Sequence, residues 1–227
     1  MSFGGMFVRF GAGLAAVAVL AAALWLYARA WTPDRAEYPT QGVTIDSGDG
    51  QVEWDTIAAQ GADFAYIRAT DSQAARDPAF ADNWRRARLA GLRYGALVEF
   101  SLCRPPADQG TAFMTTVARD NAALPPAIRL AFDPRCTARP GRDRLLSDLN
   151  TLVNLIEGHA GKPVLINVTE DFNETYRIGS GINRTLWLDR NFFPPDYTGG
   201  PWVMWTASDM RHIDGVDGPV RWNVVTP

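Results

Sequence analysis

The chain is short of most things that mark a metalloprotein or a nucleic-acid binder. It has two histidines and two cysteines in 227 residues. Cys103 and Cys136 lie too far apart for a CxxC pair, and no cluster of His, Cys, Asp or Glu has metal-ligand spacing, so no metal and no cofactor are expected. His159, after Gly158 at a helix end, and His212, in a polar loop, read as solvated residues rather than ligands or bases. Charge is sparse too. Asp, Glu, Lys and Arg make up 21% of the chain and the net charge is −3, which gives no basic footprint for a phosphate backbone and argues against nucleic acid as a partner. There is no internal repeat, and the single low-complexity stretch is Ala-rich and N-terminal. What is present is apolar material: 47% hydrophobic side chains, enough for one sizeable core. Eight Trp and eleven Phe are many for this length, and those not in the core suit a neutral, sugar-like ligand.

From Phe10 to Ala28 the run FGAGLAAVAVLAAALWLYA carries no charge. As a helix rising about 1.5 Å per residue it nearly spans a ~30 Å hydrocarbon layer. Arg9 and Arg29 flank it, and Trp25, Tyr27 and Trp31 crowd one end as an interfacial belt would. The alternative is a cleaved signal peptide, because Ala28-Arg29-Ala30 has the small-x-small form; the length of the run and the bulky residues beside that cut favour a retained anchor. Either reading takes the remaining chain out of the cytoplasm. The chain then divides into a short segment 1–9, a transmembrane anchor 10–28, a linker 29–41 and one domain 42–227. In an oxidising compartment two loop cysteines point to a disulfide between Cys103 and Cys136. They follow the third and fourth expected strands, which puts both on one rim.

Within the domain, strand and helix signals alternate. Val43 and Ile45 begin a strand; Trp54 to Gln60 is a short helix; Phe64 to Ala69 is an apolar strand. Asp77-Pro78 reads as an N-cap and first helical residue, with Phe80, Trp84 and Ala87 on one face of the helix and Gly91 ending it. Strands follow at Tyr94–Phe100, Ala127–Phe132 and Pro163–Val168. Helices lie between them, the second marked by Leu145, Leu149, Leu152 and Ile156 before Gly158. Leu186–Leu188, Trp202–Thr206 and Val220–Val225 are expected as strands joined by loops. A βαβα series with near-continuous apolar strands predicts a parallel sheet, and the loss of helices toward the C-terminus predicts a barrel closed by plain strands. The site of such a barrel lies at the C-terminal ends of its strands.

Several segments carry a family resemblance: GVTIDSGDGQVEW (Gly42 to Trp54), DFAYIRAT, the helix running into YGALVEF, LPPAIRLAF, KPVLINV, LWLDR, PWVMWTASD and GVDGPVRWNVV. In this order they resemble glycoside hydrolase family 25. The resemblance covers Gly42 to Val225. It implies an α/β fold, a modified (β/α) TIM-like barrel, and a muramidase cutting the β-1,4 bond between N-acetylmuramic acid and N-acetylglucosamine. With the anchor, it implies a single-pass protein of a bacterial inner membrane with its domain in the periplasm, directed at peptidoglycan glycan or another envelope component.

The chemistry of that family needs one carboxyl to protonate the leaving oxygen and another to stabilise or attack the sugar carbon. At the positions where the resemblance implies acids, this chain has Thr44, Arg129, Ala131 and Arg221, and the third-strand Tyr-His pair is Leu97 and Val98. Neither Thr nor Ala delivers a proton, and Arg129 puts a fixed cation where positive charge must develop. The remaining candidates are displaced acids. Asp46 shares a strand face with Thr44 and Asp133 with Ala131, each about 6.6 Å toward the mouth if the strands stay extended, and Glu99 ends the third strand. The competing reading makes Asp46, Asp49 and Asp133 loop and capping residues. Trp205 corresponds to an aromatic beside the site, either stacking on sugar or packed in the core. Arg129, Arg135 and Arg221 either meet a ligand carboxylate or serve as structural and surface charges. Three functions remain open: a binding domain without hydrolysis, a hydrolase with a rearranged acid set, and a structural envelope protein without a sugar ligand.

Overall fold

The computed structural model describes residues 3–227, with side chains described from residue 12 onward. Helix α1 (Phe3–Ala30) holds the apolar run, and Ala12–Ala30 is long and apolar enough to cross a membrane, with none of it buried against the domain. The expected linker is not slack. Pro33 and Tyr38 are buried, and Gln41 ties the stretch down: its Nε2 donates to the carbonyls of Pro33 and Tyr38, both at 3.0 Å, while its Oε1 accepts from Thr32 and Trp222. Arg29 O also accepts from His212 N at 2.9 Å. The end of α1 is therefore fastened to the domain, and the residues 31–40 form a strap along it.

Eight strands close a barrel in chain order: β1 (Gln41–Ile45), β2 (Phe64–Thr70), β3 (Arg93–Glu99), β4 (Ala127–Leu130), β5 (Leu165–Val168), β6 (Thr185–Asp189), β7 (Met204–Arg211) and β8 (Val220–Val225). β1 to β7 pair in parallel, and β8 closes the barrel antiparallel to both β7 and β1. Helices α2 (Trp54–Ala59), α3 (Phe80–Leu89), α4 (Pro106–Thr116), α5 (Arg142–Ala160) and α6 (Glu170–Tyr176) fill the connections up to β6.

Several elements differ from the sequence reading, three helices among them. Helix α3 starts at Phe80, and Asp77 accepts from Ala79 N in the turn before it while its second oxygen is taken by Arg68. Helix α5 runs through Gly158 and ends at Gly161, whose φ of 68° supplies the left-handed stop. Helix α6 was missed: its seven residues offer one apolar i, i+4 pair, Phe172 and Tyr176, too little for a periodic signal.

Alternation along each strand separates two cores. The larger lies between strands and helices. The smaller fills the lower barrel interior with Phe64, Tyr66, Leu97, Ala127, Trp187 and Met204. Gly42 makes this packing possible, since a Cβ there would lie 2.2 Å from Phe64 O and against its ring. Above this apolar floor the inward positions turn polar.

Candidate functional site

The inward positions at the barrel mouth, where the parallel strands end and antiparallel β8 begins, alternate in charge. Going round the barrel they are Asp46, Arg68, Glu99, Arg129, Asn167, Asp189, Thr206 and Arg221, one for each strand in order. On one side Arg68 sits among three carboxylates: Asp46 at 3.0 Å, Asp77 at 2.8 Å and Glu99 at 3.6 Å. On the other side Arg129 donates through Nη1 to Asp189 and, at 2.6 Å, to Asn167 Oδ1, whose Nδ2 donates to Asp189 Oδ1 at 2.6 Å. Burial pushes the Asp189 carboxyl up, but Arg129, Arg221 and Asn167 outweigh it and hold it below its ordinary value.

Two cavities share Arg129 as a wall. One, of about 210 Å³, is lined by Ser72, Glu99, Phe100, Ala131, Phe132, Asp133 and Arg135. The other, of about 230 Å³, is lined by Thr169, Asp189, Arg190, Asn191, Thr206, Asp209 and Arg221. The Cys103–Cys136 disulfide, with Cα atoms 5.9 Å apart, fastens the loops after β3 and β4 beside the first cavity, as the shared rim of two neighbouring strands requires.

The three displaced acid candidates do not form one set. Asp46 follows β1 in extended conformation and accepts from Gly48 N at 2.6 Å, so it caps a short turn as well as pairing with Arg68. Glu99 faces the same Arg68. β4 ends at Leu130, so the extended-strand step assumed for Asp133 does not hold; Asp133 sits in the following loop, clamped by Ser72 Oγ, by Arg135 N at 2.8 Å and by the Arg135 guanidinium. The hydrogen bonds from Arg135 and Ser72 hold its carboxyl well below the usual range, which leaves it no proton to give near neutral pH. Arg135 itself is an exposed surface residue.

Trp205 is core. It is 1% exposed, its indole N–H donates to Arg190 O, and Trp31 and Tyr38 of the strap pack edge-on against it, so it offers no face to a sugar. Thr44, 4% exposed, accepts from Asn223 Nδ2 at 2.9 Å. His159 and His212 are half-buried and bonded to the carbonyls of Val117 and Met210.

Sequence reasoning missed Arg68 and Asp189, and named Asp49 only as a loop and capping residue. The first two were legible in principle, as lone charges at inward positions of apolar strands, matching Arg129 in parity. Asp49 is different. It accepts from Asp46 N at 2.7 Å, and burial, reinforced by the Asp46 charge, raises its pKa to about 6 against the pull of Arg221 and Arg68.

A closed barrel of seven parallel strands finished by one antiparallel strand, with a polar mouth at the strand ends, defines a modified TIM-like barrel. Residues 43–216 match the model for Glycosyl hydrolases family 25, and the chain belongs to that family. A family 25 glycosyl hydrolase from Bacillus anthracis superposes with a TM-score of 0.78 at 25% identity, covering 87% of this chain and 92% of that one. YegX of Escherichia coli K12, itself uncharacterized, is 27% identical over 196 residues, 83% of this chain and 70% of the relative. Lysozyme M1 of Streptomyces globisporus is 25% identical over 198 residues, 81% of this chain and 66% of the relative.

Proposed function

We propose that this chain is a membrane-held, lysozyme-like domain that binds peptidoglycan glycan at its barrel mouth without hydrolysing it. The observation that carries the reading is the mouth itself. Arg129 and Arg221 stand at positions where the family resemblance implies acids, Ala131 and Thr44 at two more, and Asp46, Glu99, Asp133 and Asp189 are each tied to an arginine. General acid help is typically worth about 10² to 10⁴ in rate and a charge-stabilising group a further ~10² to 10³. With those four acids paired to arginines, the mouth retains shape and polarity for a glycan but loses the chemistry they would supply. Relatives named as lysozymes, Lysozyme M1 among them, support the ligand class.

We place the domain on the periplasmic face of a bacterial inner membrane, with α1 as a retained anchor. The bond from His212 N to Arg29 O supports this, since cleavage before Trp31 would remove it, whereas the strap from Trp31 onward would stay with the domain. Mass spectrometry of the N-terminus checks it: a mature chain beginning at Trp31 would replace anchor with signal. Full-length protein in detergent micelles, mixed with insoluble peptidoglycan, is expected to be retained on the pellet while releasing no reducing ends. Failure to be retained would reject glycan binding and favour a structural envelope role. A second reading, hydrolysis by a rearranged acid set, draws on Asp49, the mouth carboxyl whose pKa is raised to about 6. Release of reducing ends that is lost in Asp49→Asn would establish it.

A further inference from the structure

Outside α1, Phe193 is the most exposed aromatic side chain among the described residues, at 69%. A lone exposed apolar residue means little by itself, and Leu89, 74% exposed on α3, is such a case. The surroundings of Phe193 set it apart. It stands in the loop between β6 and β7, where its N–H donates to Asn191 O at 2.9 Å across Phe192, whose φ of 70° is a strained value for a bulky side chain. That tight turn packs the Phe192 ring on Trp31, with centroids 5.2 Å apart, and leaves Phe193 outside.

The same turn is where α1 meets the domain. Trp31 follows α1 directly, and Arg29 O accepts from the N–H of His212, the residue after β7. Asn191 lines the cavity of about 230 Å³ together with Asp189 and Arg221, so this junction lies on the rim of the mouth and not at the closed floor. From there α1 leaves the domain: Leu20, Leu24, Trp25 and Tyr27 are all more than half exposed. The charges at the junction suit an interface. Arg29 lies over Trp25 at 4.2 Å and Arg211 over Trp222 at 3.9 Å, and Nε of each lacks a hydrogen-bond partner among the described residues. The loop's Arg190 is matched by Asp196, and Asp209, on the cavity side, is held by Asn191. Aromatic rings and arginines together at the end of a membrane-length helix are the composition that sits at lipid headgroups.

We infer that the loop after β6 is a second membrane contact, in which Phe193 enters the lipid interface beside α1 and holds the rim of the mouth against the bilayer. The inference rests on the reading of α1 as a retained anchor. The occupant is lipid, because the turn that presents Phe193 is continuous with the end of the helix that enters the bilayer. A mouth held this way meets glycan in the layer next to the membrane.

Nitroxide labels, placed one at a time in the full chain in bilayers of phosphatidylethanolamine and phosphatidylglycerol, test this. The reading is the accessibility of each label to oxygen, which concentrates in lipid, against that to a water-soluble nickel chelate. Labels on Leu20→Cys and Phe193→Cys should both favour oxygen. The label on Leu89→Cys, on α3 between β2 and β3 and so across the barrel, should favour the chelate. A label on Pro194→Cys should share the oxygen preference and lose it when Phe193→Asp is added; should that double variant fail to fold, the single labels still decide. Chelate preference at Phe193→Cys with oxygen preference at Leu20→Cys would overturn the second contact and leave the anchor standing. A Phe193→Cys label shielded from both probes would put a second copy or another protein on the patch and would overturn the inference equally. Chelate preference at Leu20→Cys would remove the anchor reading, and the placement of Phe193 beside it would fall with it.

Discussion

Replacing Asp189 with Asn tests the electrostatics of the mouth with little change of shape. The carboxylate balances Arg129 directly and Arg221 at longer range, and both partners of the ion pair are 16% exposed. Removing one member of a buried pair typically costs about 3–5 kcal/mol, because the other charge is left without compensation. Residual exposure places this case near the lower end, at ~3 kcal/mol, and Asn keeps an acceptor for Asn167. For a domain of this size ~1 kcal/mol moves the midpoint by roughly 2–4 °C, so Asp189→Asn should lower it by about 6–12 °C at pH 7. The pH dependence has a definite sign. The Asp189 carboxyl is held below its unfolded value of about 3.9, so its stabilisation is present above that pH and is lost as pH falls through the lower folded value. The gap between wild type and variant should therefore close in strong acid. Near-UV circular dichroism during heating of the full chain reads both effects. The double change Arg129→Met with Asp189→Leu should cost less than Asp189→Asn alone, since it removes both charges. A midpoint shift below ~2 °C for Asp189→Asn, or a double variant worse than the single one, would refute the account of a compensated charge ring.

Three further outcomes are expected. Cys103→Ser with Cys136→Ser reopens a loop of 33 residues, which a chain-entropy model makes worth about 4 kcal/mol, and the unfolding midpoint should fall by roughly 8–16 °C; alkylation that labels both thiols of the unreduced, denatured wild type would reject the bridge. Asp49, with its pKa raised to about 6, favours the folded state most below its unfolded value and loses that contribution as pH rises through 6. Asp49→Asn should therefore flatten the stability profile between pH 4 and 7, and an unchanged slope would show that Asp49 does not titrate there. Trp205→Ala should destabilise by about 3–5 kcal/mol as a core truncation; a variant of wild-type stability that had lost glycan retention would restore Trp205 to a sugar platform.

The barrel was legible because its strands carry strong local signals: continuous apolar runs such as Phe64–Ala69 and Val220–Val225, and punctuation by Gly61 and Gly91. The disulfide was legible because two loop cysteines, in a chain expected to leave the cytoplasm, follow neighbouring strands. The packing of the linker was not legible because its composition is polar while its anchoring runs through one residue, Gln41, whose partners lie as far away as Trp222. Trp205 could be read two ways because a strand aromatic looks the same from either face, and the strap that covers it is distant in sequence. The charge ring stayed hidden for a related reason. Arg68, Arg129, Asp189 and Arg221 come from four strands, and their pairing depends on barrel closure, which no local window contains.

The most direct test of the central claim is the release of reducing ends from insoluble peptidoglycan by the full chain, run beside Lysozyme M1 of Streptomyces globisporus at equal concentration. The account predicts that this protein sediments with the glycan yet releases reducing ends at least about 10⁴-fold more slowly than that enzyme. Release at a comparable rate, abolished by Asp49→Asn, Asp46→Asn or Asp133→Asn in a variant that remains folded, would contradict it.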